Sequence, residues 1–263
     1  MAKKKNQHGR KMSTRLIRKG ALVEETYNAF RTWDLSVDFR KNIEKMREEN
    51  PFGASSEQWL REILTTLSSR FGADSSIAPL IILAQRGLGI EAWKACLLWH
   101  VGRIDELYYR WAIDWLFDQY QAGTYLMRTD DVVPFVRKVT HGRIASGGDL
   151  SEYGALRAAR DLLRMAADFG LLDGSVKKSF ANYHIPEQSF VYVLHALADQ
   201  GGSAARIPQS KDWRLYLMDR ADVERELYRL HQFRVLDYQV AGSIAHLKLP
   251  YASLRECAEE LSL

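Results

Sequence analysis

The chain has 263 residues, 46% of them apolar, which is enough for one large globular domain or two of ordinary size. No apolar run approaches the roughly 18 residues of a transmembrane helix, and no apolar stretch of the kind found in secretory signals follows the basic residues near the start. The two cysteines, Cys96 and Cys257, form no CxxC pair. We therefore expect a reduced, cytoplasmic protein and exclude a membrane protein or a disulfide scaffold.

The formal net charge of +4 is unevenly distributed. Residues 1–20 contain eight basic residues and no acid, which leaves 29 basic against 33 acidic residues elsewhere. We predict a flexible basic arm that attracts phosphates without sequence preference, with a disordered solubilising leader as the alternative. The arm residues predicted to contact DNA are Lys3, Lys4, Lys5, Arg10 and Lys11.

Helical periodicity dominates the first half of the chain. Apolar residues recur at helical spacing over 21–33, 36–49 and 55–71, and Ser55 or Ser56 is placed to cap the third helix. Residues 91–122 carry eight aromatic rings, and we predict two helices there, separated at Gly102. With no convincing strand before residue 125, these patterns predict a helical bundle.

The segment 77–85 is a short apolar run that fits a buried strand or a buried helix. The choice matters because Gly-Leu-Gly-Ile-Glu-Ala at 87–92 matches a loose dinucleotide-binding fingerprint, which requires a preceding strand and an acidic residue after a second strand. The following residues are helical in pattern, so no second strand is available. Nucleotide binding is therefore not predicted.

The central pattern is a helix, a second helix and a tight basic hairpin. Thr129 is placed to cap the first helix, and Ser151 to cap the second, which Gly170 ends. A short strand, an Asp-Gly turn at 173–174 and a basic return strand follow. This order predicts a winged-helix-like unit.

The second of these helices carries the candidate DNA-binding residues. Arg157, Arg160 and Arg164 recur at i, i+3 and i+7 outside the apolar stripe, while Lys177 and Lys178 fall on the predicted wing. A helix fits the major groove, where arginines meet phosphates or guanine edges. The alternatives are an ordinary solvated face and a winged helix that docks a protein.

In the last third we predict a helix over 187–199, a strand over 213–217, a helix capped by Asp219, and a hairpin turning near Gly242. A final helix covers 253–261. This order of elements suggests a second wing-like unit.

No catalytic or metal-binding constellation is predicted. The seven histidines are scattered, and only His195 and Asp199 have the i, i+4 spacing of metal ligands on a helix, which a surface pair also has. The acidic doublets fall mostly near helix ends, where capping explains them. We therefore expect neither an enzyme nor a cofactor.

Several stretches resemble the BrxA family of bacteriophage-exclusion (BREX) defence systems. They are STRLIRKGALVEETYNAF, LLWHVGRIDELYYRWAIDWL, GALRAARDLLRMAADFGLLDG, LHQFRVLDYQVAGSIAHLKLP and SLRECAEEL. The resemblance covers nearly everything after residue 12, but the basic arm matches no family pattern. It implies a NusB-like helical amino-terminal part, winged-helix character beyond it, and binding to double-stranded DNA alongside a methyltransferase, an ATPase and a phosphatase-like protein.

The expected fold is therefore mainly α with small β-hairpins. We divide it into an arm at 1–19, a helical bundle at 20–124, a winged-helix-like domain at 125–200 and a wing-like α+β unit at 201–263. The expected function is a non-catalytic, DNA-binding accessory subunit of the defence system. The alternative is a protein-interaction scaffold that does not touch DNA.

Overall fold

A computed structural model describes residues 12–72, 75–144, 147–242 and 244–261. Helices make up most of this part of the chain, together with two antiparallel hairpins of two strands each. The predicted fold class, mainly α with small β-hairpins, is confirmed. Within the described residues, no helix combines the length and apolar character needed to span a bilayer.

The described residues form two compact units, each assembled from segments distant in sequence. One takes the chain up to Ala21 together with Val101–Asn182, and the other takes Leu22–His100 and the chain from Tyr183 onward. We call them the first and second unit. The four consecutive domains proposed from the sequence stay a prediction.

The first unit contains a run of helices followed by a hairpin. Its elements are α6 (Glu106–Trp111), a π-helical turn (Ala112–Leu116), α7 (Phe117–Gln121), α8 (Thr129–Thr140), α9 (Glu152–Asp168), β1 (Leu172–Asp173) and β2 (Ser179–Phe180). Helix α8 packs on α9, and α9 on β1. Met127, between α7 and α8, forms an antiparallel bridge with Lys178, next to β2.

The second unit is built around a buried helix. Its elements are α1 (Val23–Arg31), α2 (Phe39–Glu49), α3 (Glu57–Phe71), α4 (Ala78–Gln85), most of α5 (Ile90–Ile104), α10 (Glu187–Asp199), α11 (Arg220–Gln232), β3 (Asp237–Ala241), β4 (Ile244–Lys248) and α12 (Leu254–Glu260). Nine consecutive residues of α10, 189–197, are buried. The Ser189 hydroxyl donates to the Ala92 carbonyl at 2.7 Å, so this polar side chain is satisfied inside the core.

Local signals in the sequence predicted most helix starts correctly. The Ser56 hydroxyl accepts from the Trp59 amide at 3.2 Å, and the Asp219 carboxylate accepts from the Asp222 amide at 2.8 Å. The β3–β4 hairpin has the expected turn, with Gly242 at φ +62°. These signals act between residues close in sequence, which explains their success.

Three local predictions were wrong. Gly102 lies inside α5, so the break between the two helices does not fall there. The break falls at Asp105, whose carboxylate accepts from the Tyr108 amide at 2.9 Å and caps α6. Thr129 is the first helical residue of α8 and not its cap. The expected strand at 213–217 is largely a 3-10 helix, Lys211–Tyr216, because an apolar run this short does not distinguish the two conformations.

His195 on α10 gives the second unit a dependence on pH. The residue is 2% exposed, and its ring centroid lies 5.5 Å from that of Tyr251. Burial lowers the pKa of His195 from 6.5 to about 4, and attraction from Asp199 and Glu256 offsets only part of this effect. In the unfolded chain the same histidine takes up a proton near pH 6.5.

We expect the free energy of unfolding to be fully retained above pH 6.5 and to decrease as the pH falls towards 4, because the unfolded chain binds a proton that the folded chain does not. Urea midpoints measured at pH 7.5 and 5 will check this. His195→Leu should reduce the difference between the two midpoints. An equal difference in variant and wild type would contradict it.

Candidate nucleic-acid interface

Helix α9 has one buried face and one cationic face. The Ser151 hydroxyl accepts from the Gly154 amide at 3.0 Å, and Gly170 ends the helix at φ +79°. The buried positions are Ala155, Ala158, Ala159, Asp161, Leu162, Leu163, Met165 and Ala166. Arg157, Arg160 and Arg164 are all exposed, as the sequence predicted for a cationic face.

Asp161 is the acid that lies among these arginines. Its side chain is 12% exposed, and one carboxylate oxygen lies 4.0 Å from the Arg157 guanidinium. Burial raises the pKa of Asp161, whereas Arg157, Arg164, Arg160 and Arg18 act in the opposite direction. Four guanidinium groups thus act on Asp161, and a second carboxylate, Asp168, lies beside Arg164, so cations still outnumber these acids.

The fourth guanidinium comes from the start of the described chain. The Arg164 guanidinium donates to the Lys19 carbonyl at 3.4 Å, and the Asp168 carboxylate accepts from the Ala21 amide at 2.8 Å. Met12 is also buried, and its amide donates to the Arg143 carbonyl at 2.7 Å. We call residues 12–21 the docked segment, since these contacts hold it against the rest of the first unit.

Arg18 is therefore part of the candidate interface, although it lies within the stretch that the sequence assigned to a flexible arm. No local pattern could have revealed this, because the contact joins residues at opposite ends of the unit's sequence. The predicted contacts Lys3, Lys4, Lys5, Arg10 and Lys11 lie outside the described residues and stay predictions.

The two lysines predicted for the wing differ in their surroundings. Lys177 is exposed on the turn of the β1–β2 hairpin. Lys178 is partly buried, its backbone pairs with Met127, and its ammonium group donates to the Gly174 carbonyl. Lys177 is thus the better placed of the two to meet a ligand, and Lys178 shapes the turn.

Arginines on α11 provide an internal comparison. Arg220 lies 2.8 Å from Glu224, Arg225 lies 2.9 Å from Asp222, and Arg229 contacts both Glu226 and Glu187. Each of these guanidinium groups has at least one carboxylate of its own. The exposed arginines of α11 and α9 therefore differ. Carboxylates neutralise the arginines of α9 less completely than those of α11.

Other candidate sites receive no support from the geometry. The glycines at 87 and 89 follow helix α4, so the dinucleotide fingerprint lacks its preceding strand. His195 is buried, and the Asp199 carboxylate four residues later accepts from the Leu254 amide at 3.2 Å. Within the part of the chain that the structure describes, no group of three or more potential ligands could hold a metal ion.

Comparison with protein families places the chain among known proteins. The model of the BrxA family matches residues 10–196, which include the docked segment, α9 and the β1–β2 hairpin. No curated protein and no solved structure matches the chain.

Gly20 allows the docked segment to approach α9. Its φ is +71°, and a Cβ at this position would collide with the Asp168 carboxylate that binds the Ala21 amide. Gly20→Ala should lower the melting temperature and expose Arg18 to trypsin. Gly123→Ala is the matched control, since Gly123 has a similar φ of +67° but open space around it, so it carries only the left-handed penalty of about 1–2 kcal/mol. Equal effects of the two substitutions would contradict the docking.

Proposed function

We propose, from the premise that this chain belongs to the BrxA family, that it binds double-stranded DNA as a non-catalytic accessory subunit. Family membership implies a component of a BREX phage-defence system. The contact with the DNA duplex is the part that the candidate interface supports. The partners proposed within the system are its methyltransferase, ATPase and phosphatase-like subunits, and the proposed location is the cytoplasm.

The order of elements in the first unit supports a winged helix. Helices α6 and α7, the bridge at Met127, then α8, α9 and the β1–β2 hairpin follow one another in the order of that motif. In this arrangement α9 is the recognition helix and the hairpin is the wing. We propose that α9 enters the major groove while Lys177 reaches the flanking backbone.

The charge balance on α9 is the observation that carries the proposal. Arg157 and Arg164 are seven residues apart, which corresponds to about 10 Å along a helix and is comparable with about three phosphate steps on one DNA strand. Four guanidinium groups, including that of Arg18, share the Asp161 carboxylate. A surface with this excess of positive charge attracts a polyanion, whereas the paired arginines of α11 do so less.

The alternative is a scaffold that docks another protein. Exposed apolar side chains near the hairpin favour it, since Tyr125 is 81% exposed and Val176 is 82% exposed. Aromatic residues of this kind are common in protein interfaces. A pull-down from the native operon with nuclease present distinguishes the two, because subunits that a scaffold binds persist and subunits bridged by DNA are lost.

The α9 arginines should be required for binding. We would replace Arg157, Arg160 and Arg164 with Gln and add Asp161→Asn, so that no buried carboxylate loses its compensation. Anisotropy with a random-sequence duplex should show affinity reduced by at least about tenfold, and a salt slope smaller by about three, since each phosphate contact contributes about 0.9.

The matched control removes three arginines that have acidic partners, through Arg220→Gln, Arg225→Gln and Arg255→Gln. It lowers the net charge by three, whereas the α9 variant lowers it by two. If net charge alone governed the affinity for DNA, the control variant would therefore lose more affinity than the α9 variant. The interface is supported if the control binds DNA within about twofold of the wild-type affinity and melts at the same temperature. Unchanged DNA binding by the α9 variant would refute the interface.

The basic arm should contribute to salt dependence more than to specific placement. Replacing Lys3, Lys4, Lys5, Arg10 and Lys11 with Gln should reduce the salt slope by up to about four and leave binding detectable at low salt. The same anisotropy series measures this. An unaltered slope would show that the arm does not contact DNA, and complete loss of binding would assign the DNA contact to the arm alone.

A further inference from the structure

A second cationic site lies at the base of the β3–β4 hairpin, within the second unit. The end of α11, the connection to β3 and the end of β4 border an open cleft of about 370 Å³. It is lined by His231, Arg234, Val235, Leu236, Asp237, Lys248, Leu249 and Pro250. Its size is at the lower end of the range of about 300–1,000 Å³ that is usual for small-molecule sites.

Arg234 occupies a backbone position that disfavours an arginine. It follows the C-cap of α11 with φ +59°, in the left-handed region where a Cβ is strained. Five other helices of this chain end with glycine at the same position after the cap, namely Gly87, Gly123, Gly142, Gly170 and Gly201. Leu22, Asn50 and Leu217 also have positive φ, so this conformation singles out Arg234 only together with its place beside the cleft.

The side chain of Arg234 is also available. It is exposed, and no described residue forms a hydrogen bond or an ion pair with it. The same holds for Lys248, which is the cross-strand partner of Asp237 in the hairpin. Two cations thus line one cleft without a carboxylate within 4.0 Å among the described residues.

Asp237 is the acid of this cleft, and it lies opposite Lys248 in the hairpin. His231 lies 3.2 Å from one of its carboxylate oxygens, His246 lies 3.7 Å from the other, and the Gln239 amide donates to it at 3.0 Å. The cleft therefore combines two cations with one carboxylate and apolar walls, which leaves an excess of one positive charge. The planar guanidinium of an arginine matches a phosphate in geometry, and weaker solvation beside apolar side chains strengthens the attraction.

We propose that this cleft binds a phosphate group through Arg234 and Lys248. The group belongs either to the backbone of a DNA duplex or to a small phosphorylated ligand. The site lies in the second unit and uses none of the residues of α9. It therefore does not depend on the function proposed for the first unit.

Arg234→Gly tests the site without destabilising the fold, because glycine relieves the left-handed strain. The variant should melt at a temperature equal to or higher than that of wild type. The first probe is inorganic pyrophosphate, compared with sodium chloride at equal ionic strength. Pyrophosphate should raise the melting temperature of the wild type but not that of Arg234→Gly, and Lys248→Gln should reduce the shift. Arg225→Gln, which removes a paired arginine from the same helix, should keep it.

A second probe, a random-sequence duplex, identifies the source of the phosphate. If the cleft contacts the DNA backbone, Arg234→Gly lowers the salt slope by about one, as expected for one lost phosphate contact. If only the response to pyrophosphate is lost, the ligand is a small phosphorylated molecule. The proposal is overturned if pyrophosphate does not stabilise the wild type, or if Arg234→Gly responds to both probes as the wild type does. The α9 variant retains Arg234 and should still respond to pyrophosphate. A failure of the cleft proposal is therefore distinguishable from a failure of the α9 proposal.

Discussion

The candidate interface depends on a charge imbalance around Asp161. This carboxylate is largely buried on α9, so it cannot be fully solvated, and the guanidinium groups near it offset that cost. Three of these groups belong to the helix itself, and the fourth, Arg18, belongs to the docked segment. The docked segment itself is held through its backbone by two other side chains of α9, those of Asp168 and Arg164.

Paired and unpaired arginines divide the molecule into surfaces of different character. Along α11, carboxylates three or four residues away neutralise the guanidinium groups, which is a local device for helix stability. At the end of that helix Arg234 has no such partner, and its backbone is strained. Composition alone does not distinguish these cases, because what matters is the distance from each cation to the nearest acid.

Family membership places the chain in a defence system, and the geometry supports the proposed contact with a polyanion. The family match ends at residue 196, before the cleft at the base of the β3–β4 hairpin. The two proposed sites thus differ in their support, since one lies inside the matched region and the other rests on the geometry of the second unit alone.

The sequence by itself determined the features that arise between near neighbours. Ser151 and Gly170 bound α9, the spacing of Arg157, Arg160 and Arg164 placed them on its exposed face, and Gly242 marked a hairpin turn. Only the tertiary structure decided that 77–85 is a helix, that Arg18 joins α9 and that Lys178 bonds within its own turn. The reason is physical: caps and periodicity depend on residues within a few positions, whereas burial and ion pairing depend on which distant segments pack together.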